Sequence, residues 1–444
     1  MGGKPIERCR GCGSKSLTPA FTFGGDAAYV FCDGEKDATA CGLLQRAATP
    51  LLQDTIDTAP PVTRTHRHRL RGAVTEAMEM ISTRDGLALD IGCGDGTLMS
   101  FYPRWIEAYA VDQLMPDERI RDWGKAVHGS FPEGDVVKTL RSHIGKRKFD
   151  VITAISVFQE IEDPSAFFGG IKDLLADDGV CVLETPYASL GLVRNAVGMF
   201  HNSALTIHTL TTIERLARLN GLKIVRGAMT ETDGGALRLF LTHNCYVGHD
   251  YVPWLESLAR LWDEEIALAL TSRSTYQAFS HRIDANRQTV DSFLEEMRDY
   301  GEHAHVIGSD PAMIALLEAF EIGPDVVSFI VSRHEDKISS RVHIGRAEAG
   351  IEVISEEDSR QASPDVYLAP NSLRREILEH WRESIFAGVR IVFMTPDLEI
   401  VDADNYGTEL GKCLALTDGP GSLETLKAVL STVRRPRLVA VSNG

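Results

Sequence analysis

Residues 86–101 read "GLALDIGCGDGTLMSF": a short apolar strand that stops at three close glycines, Gly92, Gly94 and Gly96, with one acid, Asp90, inside it. Glycines at a strand end let backbone N–H groups approach a ligand closely, which dinucleotide sites and S-adenosylmethionine (SAM) sites both exploit. The dinucleotide fingerprint is G-x-G-x-x-G. Here the spacing is G-x-G-x-G, and Asp90 stands two residues before the first glycine. Spacing and acid together select the SAM form of the turn.

Around this turn, strand and helix candidates alternate. "LALDIG", "AYAVD", "FDVITAIS", "VCVLETP", "KIVRGA" and "LRLFLTH" read as strands, with helical patterns such as "TTIERLARLNG" between them. That order implies a doubly wound, mostly parallel α/β sheet with its ligand at the carboxyl ends of the strands. Residues 61–250 are assigned to it. From 251 to 300 the pattern turns helical, with Leu255, Leu258, Trp262 and Ile266, then Phe279, Ile283, Phe293 and Met297, at i, i+3/i+4 spacing. These stripes read as packing surface of a helical connector. A second alternation, "HAHVIGS", "VVSFIVS", "DVYLAP" and "RIVFMTP", predicts a smaller Rossmann-like α/β domain over 301–404. Residues 405–444 form an extension with one helical pattern and one short strand candidate, and no function is assigned to them.

The chain has 444 residues, room for two large domains and smaller attachments. A net charge of −17 and a pI near 5.3 oppose a long nucleic-acid footprint, which needs a basic face. A small-molecule partner is expected instead. The start, "MGGKPIERCRGCG", lacks an apolar signal core and no run of 18 apolar residues occurs, so a cytoplasmic protein without membrane partners is expected.

Four of the eight cysteines, Cys9, Cys12, Cys32 and Cys41, fall in a first module of residues 1–60 that closes on the linker "TPLLQDTIDTAPPVTR". Cys93, Cys181, Cys245 and Cys413 are scattered and read as buried small apolar residues. In a reducing compartment, clustered thiols point to metal, and a C-x2-C turn with two further thiols completes a tetrahedral Zn2+ site. The second pair is C-x8-C, wider than a standard knuckle.

In a SAM site the glycine turn passes under the methionine part of the ligand and the strand acid faces its ammonium group. Asp90, Gly92 and Gly94 fill those places, and Asp112, ending "AYAVD", stands where an acid accepts the ribose hydroxyls. Phe131 in "HGSFPEG" is a candidate adenine neighbour.

"SVFQEIEDPSAFF" resembles the class I methyltransferase pattern after strand four, with Gln159 at the usual histidine, and the resemblance spans about 85–190. The Asn/Asp-Pro-Pro-aromatic turn of amino-directed nucleic-acid enzymes is absent. Over roughly 5–404 the chain resembles the sugar C-methyltransferases, which methylate C-3 of nucleotide-linked 4-keto-deoxy sugars. "CRGCG" and "ACGLLQ" resemble the halves of that family's zinc module. "ETPY" at 184–187, "HTLTTIERLARLNGLKIV" at 208–225, "GGALRLFLTH" at 234–243 and "DVYLAPNSLRREI" resemble its later phrases. The chain departs from the family in three places. The Glu-His pair holding the family's proposed base is Ser203 and Ala204, the Tyr-x-Tyr near its reaction centre is His66-x-His68, and the first turn of the last domain is "GSDPAM" at 308–313.

Methylating a carbon beside a ketone needs a base, an enolate-stabilising environment and an aligned methyl sulfonium. Histidine suits neutral pH. The candidates are His66, His68, His201 and His208, the first two favoured because both tyrosine places changed together, with Tyr187 and Asn202 as oxyanion donors. Arg64, Arg67, Arg69 and Arg71 are candidates to grip a diphosphate. The competing readings are methylation at O, N or C of another metabolite and a SAM-binding scaffold without catalysis, the latter opposed by the intact acids. An RNA methyltransferase is opposed by the charge.

Overall fold

The computed structural model describes residues 4–23, 27–50, 63–83, 85–113, 125–230, 234–345 and 349–417. Most of the linker (51–62) and the extension beyond 417 lie outside them. The central sheet has seven strands: β1 (Gly86–Ile91), β2 (Ile106–Asp112), β3 (Lys125–His128), β4 (Phe149–Ile155), β5 (Leu175–Pro186), β6 (Leu222–Thr230) and β7 (Ala236–His243). Their spatial order is β6-β7-β5-β4-β1-β2-β3. β7 runs antiparallel to both β5 and β6, while the β5-β4-β1-β2-β3 pairings are parallel. β1 and β4 are buried almost throughout because helices cover both faces, which is why they read as unbroken apolar runs. The order reverses beside β1, so the glycine turn sits at the switch point.

Helix Arg64–Met80 starts at Thr63, whose hydroxyl accepts the His66 N–H at 3.1 Å, and buries Leu70, Ala73, Val74, Ala77 and Met80. That stripe packs with Ala88, Ala108 and Val182 of the sheet. On the other face lie helices Gly134–Ile144, Pro164–Leu174 and Leu210–Leu219, with Val136, Leu140, Phe167, Phe168, Ile213 and Leu216 in one core.

The cysteine module is a four-stranded antiparallel sheet, and its edge strand is borrowed. Strands Leu17–Phe23, Ala27–Cys32 and Leu44–Arg46 are joined by Thr206–Ile207, which pairs with Gln45 and Leu44. The module and the central domain are therefore one fabric.

Of the connector helices, Val252–Leu268 lies on the central domain, with Leu258 and Leu261 in its core. Arg273–Asp299 instead enters a core shared by Phe21, Tyr29 and Phe31 of the cysteine module, Met199 and Phe200, and Val306 and Ile330 of the last domain. The last domain has its own seven-stranded sheet, ordered Arg341–Val342, Ile351–Ile354, Val327–Val331, Ala304–Ile307, Val366–Ala369, Arg390–Phe393 and Glu399–Val401. Its five inner strands are parallel, as the second alternation implied. Helix Tyr406–Thr417 follows.

Candidate functional site

β1 delivers Asp90 to the middle of the sheet's carboxyl edge, where its side chain is 2 % exposed. Thr153 Oγ1 of β4 donates to it at 2.7 Å. Among the described residues no Lys or Arg pairs with this carboxyl. Burial, with Asp112 and Asp95 nearby, raises its pKa to about 7 despite that hydrogen bond. A buried acid without a cation is the complement of a cationic ligand group.

The turn after it needs glycine on physical grounds. Gly92 has φ +73°, and a Cβ there would lie 2.8 Å from the Val157 side chain. Gly94 has φ +52° and donates its N–H to Asp112 Oδ2 at 2.9 Å, tying the end of β2 to the turn. The turn and the two acids thus form one continuous edge, and the donor set suits SAM: a carboxylate at the end of β2 to accept hydroxyls, and a buried carboxyl for a cation. Phe131, by contrast, packs edge-on against Phe167 with centroids 5.5 Å apart, and the place where Gly170 would carry a Cβ is 2.8 Å from its ring. It sits in the core between the strand end and helix Pro164–Leu174.

A buried ionic network flanks the turn. Glu184 of β5 is 0 % exposed and accepts from Arg69 Nε at 2.5 Å, Arg238 Nε at 2.6 Å and Thr230 Oγ1 at 3.1 Å. Arg69 also donates to Ser156 Oγ at 2.6 Å, and Glu76 receives Arg238 and Arg226 at 2.6 and 2.8 Å. Although burial alone would raise the Glu184 pKa, the two guanidinium groups bring it down to about 2. The four arginines expected together on helix Arg64–Met80 are accordingly divided. Arg69 serves Glu184, Arg64 pairs with Glu379 of the last domain at 2.5 Å, and Arg67 and Arg71 lie over the Phe101 ring. Helix spacing puts Arg64, Arg67 and Arg71 on one face and turns Arg69 to another, where it serves Glu184.

The histidines are similarly separated. His66 is half-buried near Arg69, Asp95 and Glu184, and burial, with Arg69, lowers its pKa to about 4. His68, two residues on, is exposed. His208 is sealed: its ring stacks on Phe158 with centroids 4.4 Å apart, Nδ1 lies 3.4 Å from Thr212 Oγ1, and burial lowers its pKa to about 3. His201 is half-buried, with Nδ1 2.9 Å from Ser203 Oγ. Asn202 receives Arg46 Nη1 at both its backbone and side-chain oxygens, at 2.9 and 3.1 Å. Ala204 is buried, and its carbonyl accepts from Tyr29.

Five buried side-chain atoms have no hydrogen-bond partner among the described residues: Gln159 Oε1 just beyond β4, Thr185 Oγ1, Tyr187 OH and Ser189 Oγ at and beyond the end of β5, and His208 Nε2 of the residue bridged to Tyr187. Folded proteins leave few such atoms, so their concentration here marks where water or a polar ligand belongs. The Tyr187 hydroxyl stays protonated, because burial and then Glu265 push its pKa well up. Glu265 itself caps helix Leu210–Leu219, accepting from the N–H groups of Leu210 and Thr211. Glu184, Arg238 and Ser156 lie in the phrases "ETPY", "GGALRLFLTH" and "SVFQEIEDPSAFF", which give them no role, and no motif marks Glu265. Their pairings cross long stretches of chain.

In the cysteine module the four Sγ atoms of Cys9, Cys12, Cys32 and Cys41 lie within 4.8 Å of one another. Cys9–Cys41 and Cys12–Cys32 are 3.6 and 3.5 Å apart. A tetrahedron with metal–sulfur bonds of about 2.3 Å requires edges of about 3.8 Å. Donors already point at the sulfurs: Gly11 N–H and Gln45 Nε2 to Cys9 at 3.4 and 3.2 Å, and Cys41 N–H to Cys32 at 3.4 Å. The wide C-x8-C pair reaches the site because Cys32 ends a strand and Cys41 returns on the loop before Leu44–Arg46.

Residues 63–226 match the family model of a methyltransferase domain, and residues 231–396 that of a C-methyltransferase C-terminal domain. The central fold is a methyltransferase domain. The second match begins ahead of β7 and takes in both connector helices. The C-methyltransferase NovU of Streptomyces niveus is 22% identical over 249 residues, covering 56% of this chain and 57% of its own. A malonyl-[acyl-carrier protein] O-methyltransferase of Halalkalibacterium halodurans is 27% identical over 129 residues, covering 28% and 48%. The chain thus spans about half the length of the curated relatives it matches. A solved SAM-dependent methyltransferase from Clostridium acetobutylicum has 14% identity and a TM-score of 0.31, covering 44% of this chain and 94% of its own. No described helix is long and apolar enough to cross a membrane.

Proposed function

We propose that the chain is a SAM-dependent C-methyltransferase acting on a small-molecule acceptor, a nucleotide-linked keto-deoxy sugar, in the cytoplasm. The observation that carries SAM binding is Asp90, a carboxyl sealed beside a glycine turn with no cation paired to it among the described residues. Asp90, Gly92, Gly94 and Asp112 would hold the ligand, with Phe131 supporting the adenine end from the core. SAM bound there supplies an electrophilic methyl group. The match to a C-methyltransferase C-terminal domain favours carbon as the acceptor. The unpartnered Gln159, Tyr187, Ser189 and His208 atoms mark the acceptor side, where a histidine takes the α proton and Tyr187 donates to the developing oxyanion. Cys9, Cys12, Cys32 and Cys41 would hold a structural Zn2+, since four thiolates leave no open ligand position.

One observation favours a second reading, methylation at O, N or C of another metabolite. Ser203 and Ala204 occupy the family's Glu-His places, and Ala204 is buried. Deuterium exchange decides between the two. In D2O, with S-adenosylhomocysteine and a nucleotide-linked 4-keto-deoxy sugar, the sugar reading expects enzyme-dependent loss of the C-3 proton above the enzyme-free blank. Neither exchange nor methyl transfer across a panel of such sugars would leave the second reading.

A further inference from the structure

The loop that lost the Glu-His pair carries another arrangement of the same elements. Ser203 Oγ donates to Glu160 Oε1 at 2.7 Å and lies 2.9 Å from His201 Nδ1. The serine has one hydrogen, and Glu160 takes it. The serine oxygen can then only accept from Nδ1–H, which places the imidazole in the Nδ1-protonated tautomer and leaves the Nε2 lone pair basic.

The position suits a base. Glu160 belongs to the turn Phe158–Glu160 that directly follows β4. The loop is fastened to that turn, because Leu205 N–H donates to the Gln159 carbonyl at 2.8 Å. Phe158 in turn packs against His208, which places the loop beside the unpartnered Gln159 and His208 atoms. Unlike His208, His201 is half-buried. Burial, and then Arg46, lower its pKa to about 4, so at pH 7 the imidazole is neutral.

We propose that His201 is the general base of the reaction, with Ser203 and Glu160 as positioning residues that set its tautomer and orientation. The assignment rests on the keto-sugar reading above. In the step, the C-3–H bond breaks, the proton passes to Nε2 and the electron pair becomes the enolate. The enolate carbon then bonds the methyl group as the donor's sulfur–methyl bond breaks, its pair staying on sulfur as a neutral thioether.

The test is C-3 exchange in D2O with S-adenosylhomocysteine and the keto sugar, on the full chain, with SAM affinity of each variant checked by calorimetry. His201→Gln should slow exchange roughly 100- to 10,000-fold with SAM affinity retained. Ser203→Ala and Glu160→Gln should slow it on the order of 10- to 100-fold, and Ser203→Thr, which keeps the hydroxyl, should restore it. Independently of any substrate, 15N shifts of His201 at pH 7 should show Nδ1–H in the wild type and a tautomer mixture in Ser203→Ala. Exchange that survives His201→Gln, or that falls with His66→Gln instead, overturns the assignment and leaves the sugar reading standing. Wild-type protein that exchanges no keto sugar overturns both. A wild-type His201 protonated on Nε2 overturns the relay alone.

Discussion

The buried carboxyl of Asp90 makes SAM binding a proton-release event. In the ligand-free protein its pKa is about 7, so at pH 5 the group is almost wholly protonated and at pH 7 half so. A bound sulfonium and ammonium favour the ionised form, and the proton must leave. The sign follows from linkage: the ligand prefers the state with fewer protons, so affinity rises with pH and levels off above 7. Between pH 5 and 7 the rise is about 50-fold, a little over 2 kcal/mol at about 1.36 kcal/mol per unit. Because an α-amino group titrates near 7.7–8.0, the window closes at pH 7. Calorimetry at pH 6 in two buffers of different ionisation enthalpy should give about 0.9 protons released per SAM, and Asp90→Asn should release none. Stability of the ligand-free protein should move the other way. Its folded-state pKa is raised, so this group's contribution is full below the ordinary carboxylate value and is lost as pH rises towards 7. A flat affinity from pH 5 to 7 with no buffer dependence would refute the assignment of Asp90 to the ligand's cationic end.

Three further outcomes are expected. Asp112→Ala should weaken SAM binding by about 1.5–3 kcal/mol, roughly 10- to 150-fold, since the ligand's hydroxyls lose a charged acceptor; calorimetry with unchanged affinity would remove Asp112 from the site. The purified protein should carry one Zn2+ per chain by elemental analysis, and Gln45→Ala, which deletes the donor to Cys9, should weaken metal affinity about 10- to 100-fold in a chelator competition. Glu184→Ala strands the buried Arg69 and Arg238 and should cost about 3–5 kcal/mol in urea unfolding, with a loss under about 1 kcal/mol showing that the network is dispensable.

What the sequence shows of this fold follows from where burial is two-sided. β1, β4 and β5 stand out because helices on both faces make most of their positions buried and apolar, and the glycine turn stands out because glycine suits its positive φ. β3, short and half-exposed, carries no such run, and neither does Ile351–Ile354. Thr206–Ile207 is invisible for a different reason: two residues have no period, and the partner strand lies far back in the chain. The site divides the same way. Asp90, Asp112 and the cysteines belong to local motifs, but Glu184 meets Arg69 and Arg238 across 115 and 54 positions, and Ser203 meets Glu160 across 43. The basic run 64–71 reads as one patch in sequence, and in the fold its arginines take different partners: Glu379, the Phe101 ring and Glu184.

The borrowed edge strand carries a consequence for the newborn chain. On the ribosome, Cys9, Cys12, Cys32 and Cys41 emerge early, while the rest is still being made. The sheet that supports them stays open on the Leu44–Arg46 side until residue 207 has left the exit tunnel. Until then that edge offers unpaired backbone groups to any passing strand. The protein's vulnerable interval is therefore the time needed to translate from residue 46 to residue 207. A chain halted within it should be the form that chaperones hold and that aggregates when they are scarce.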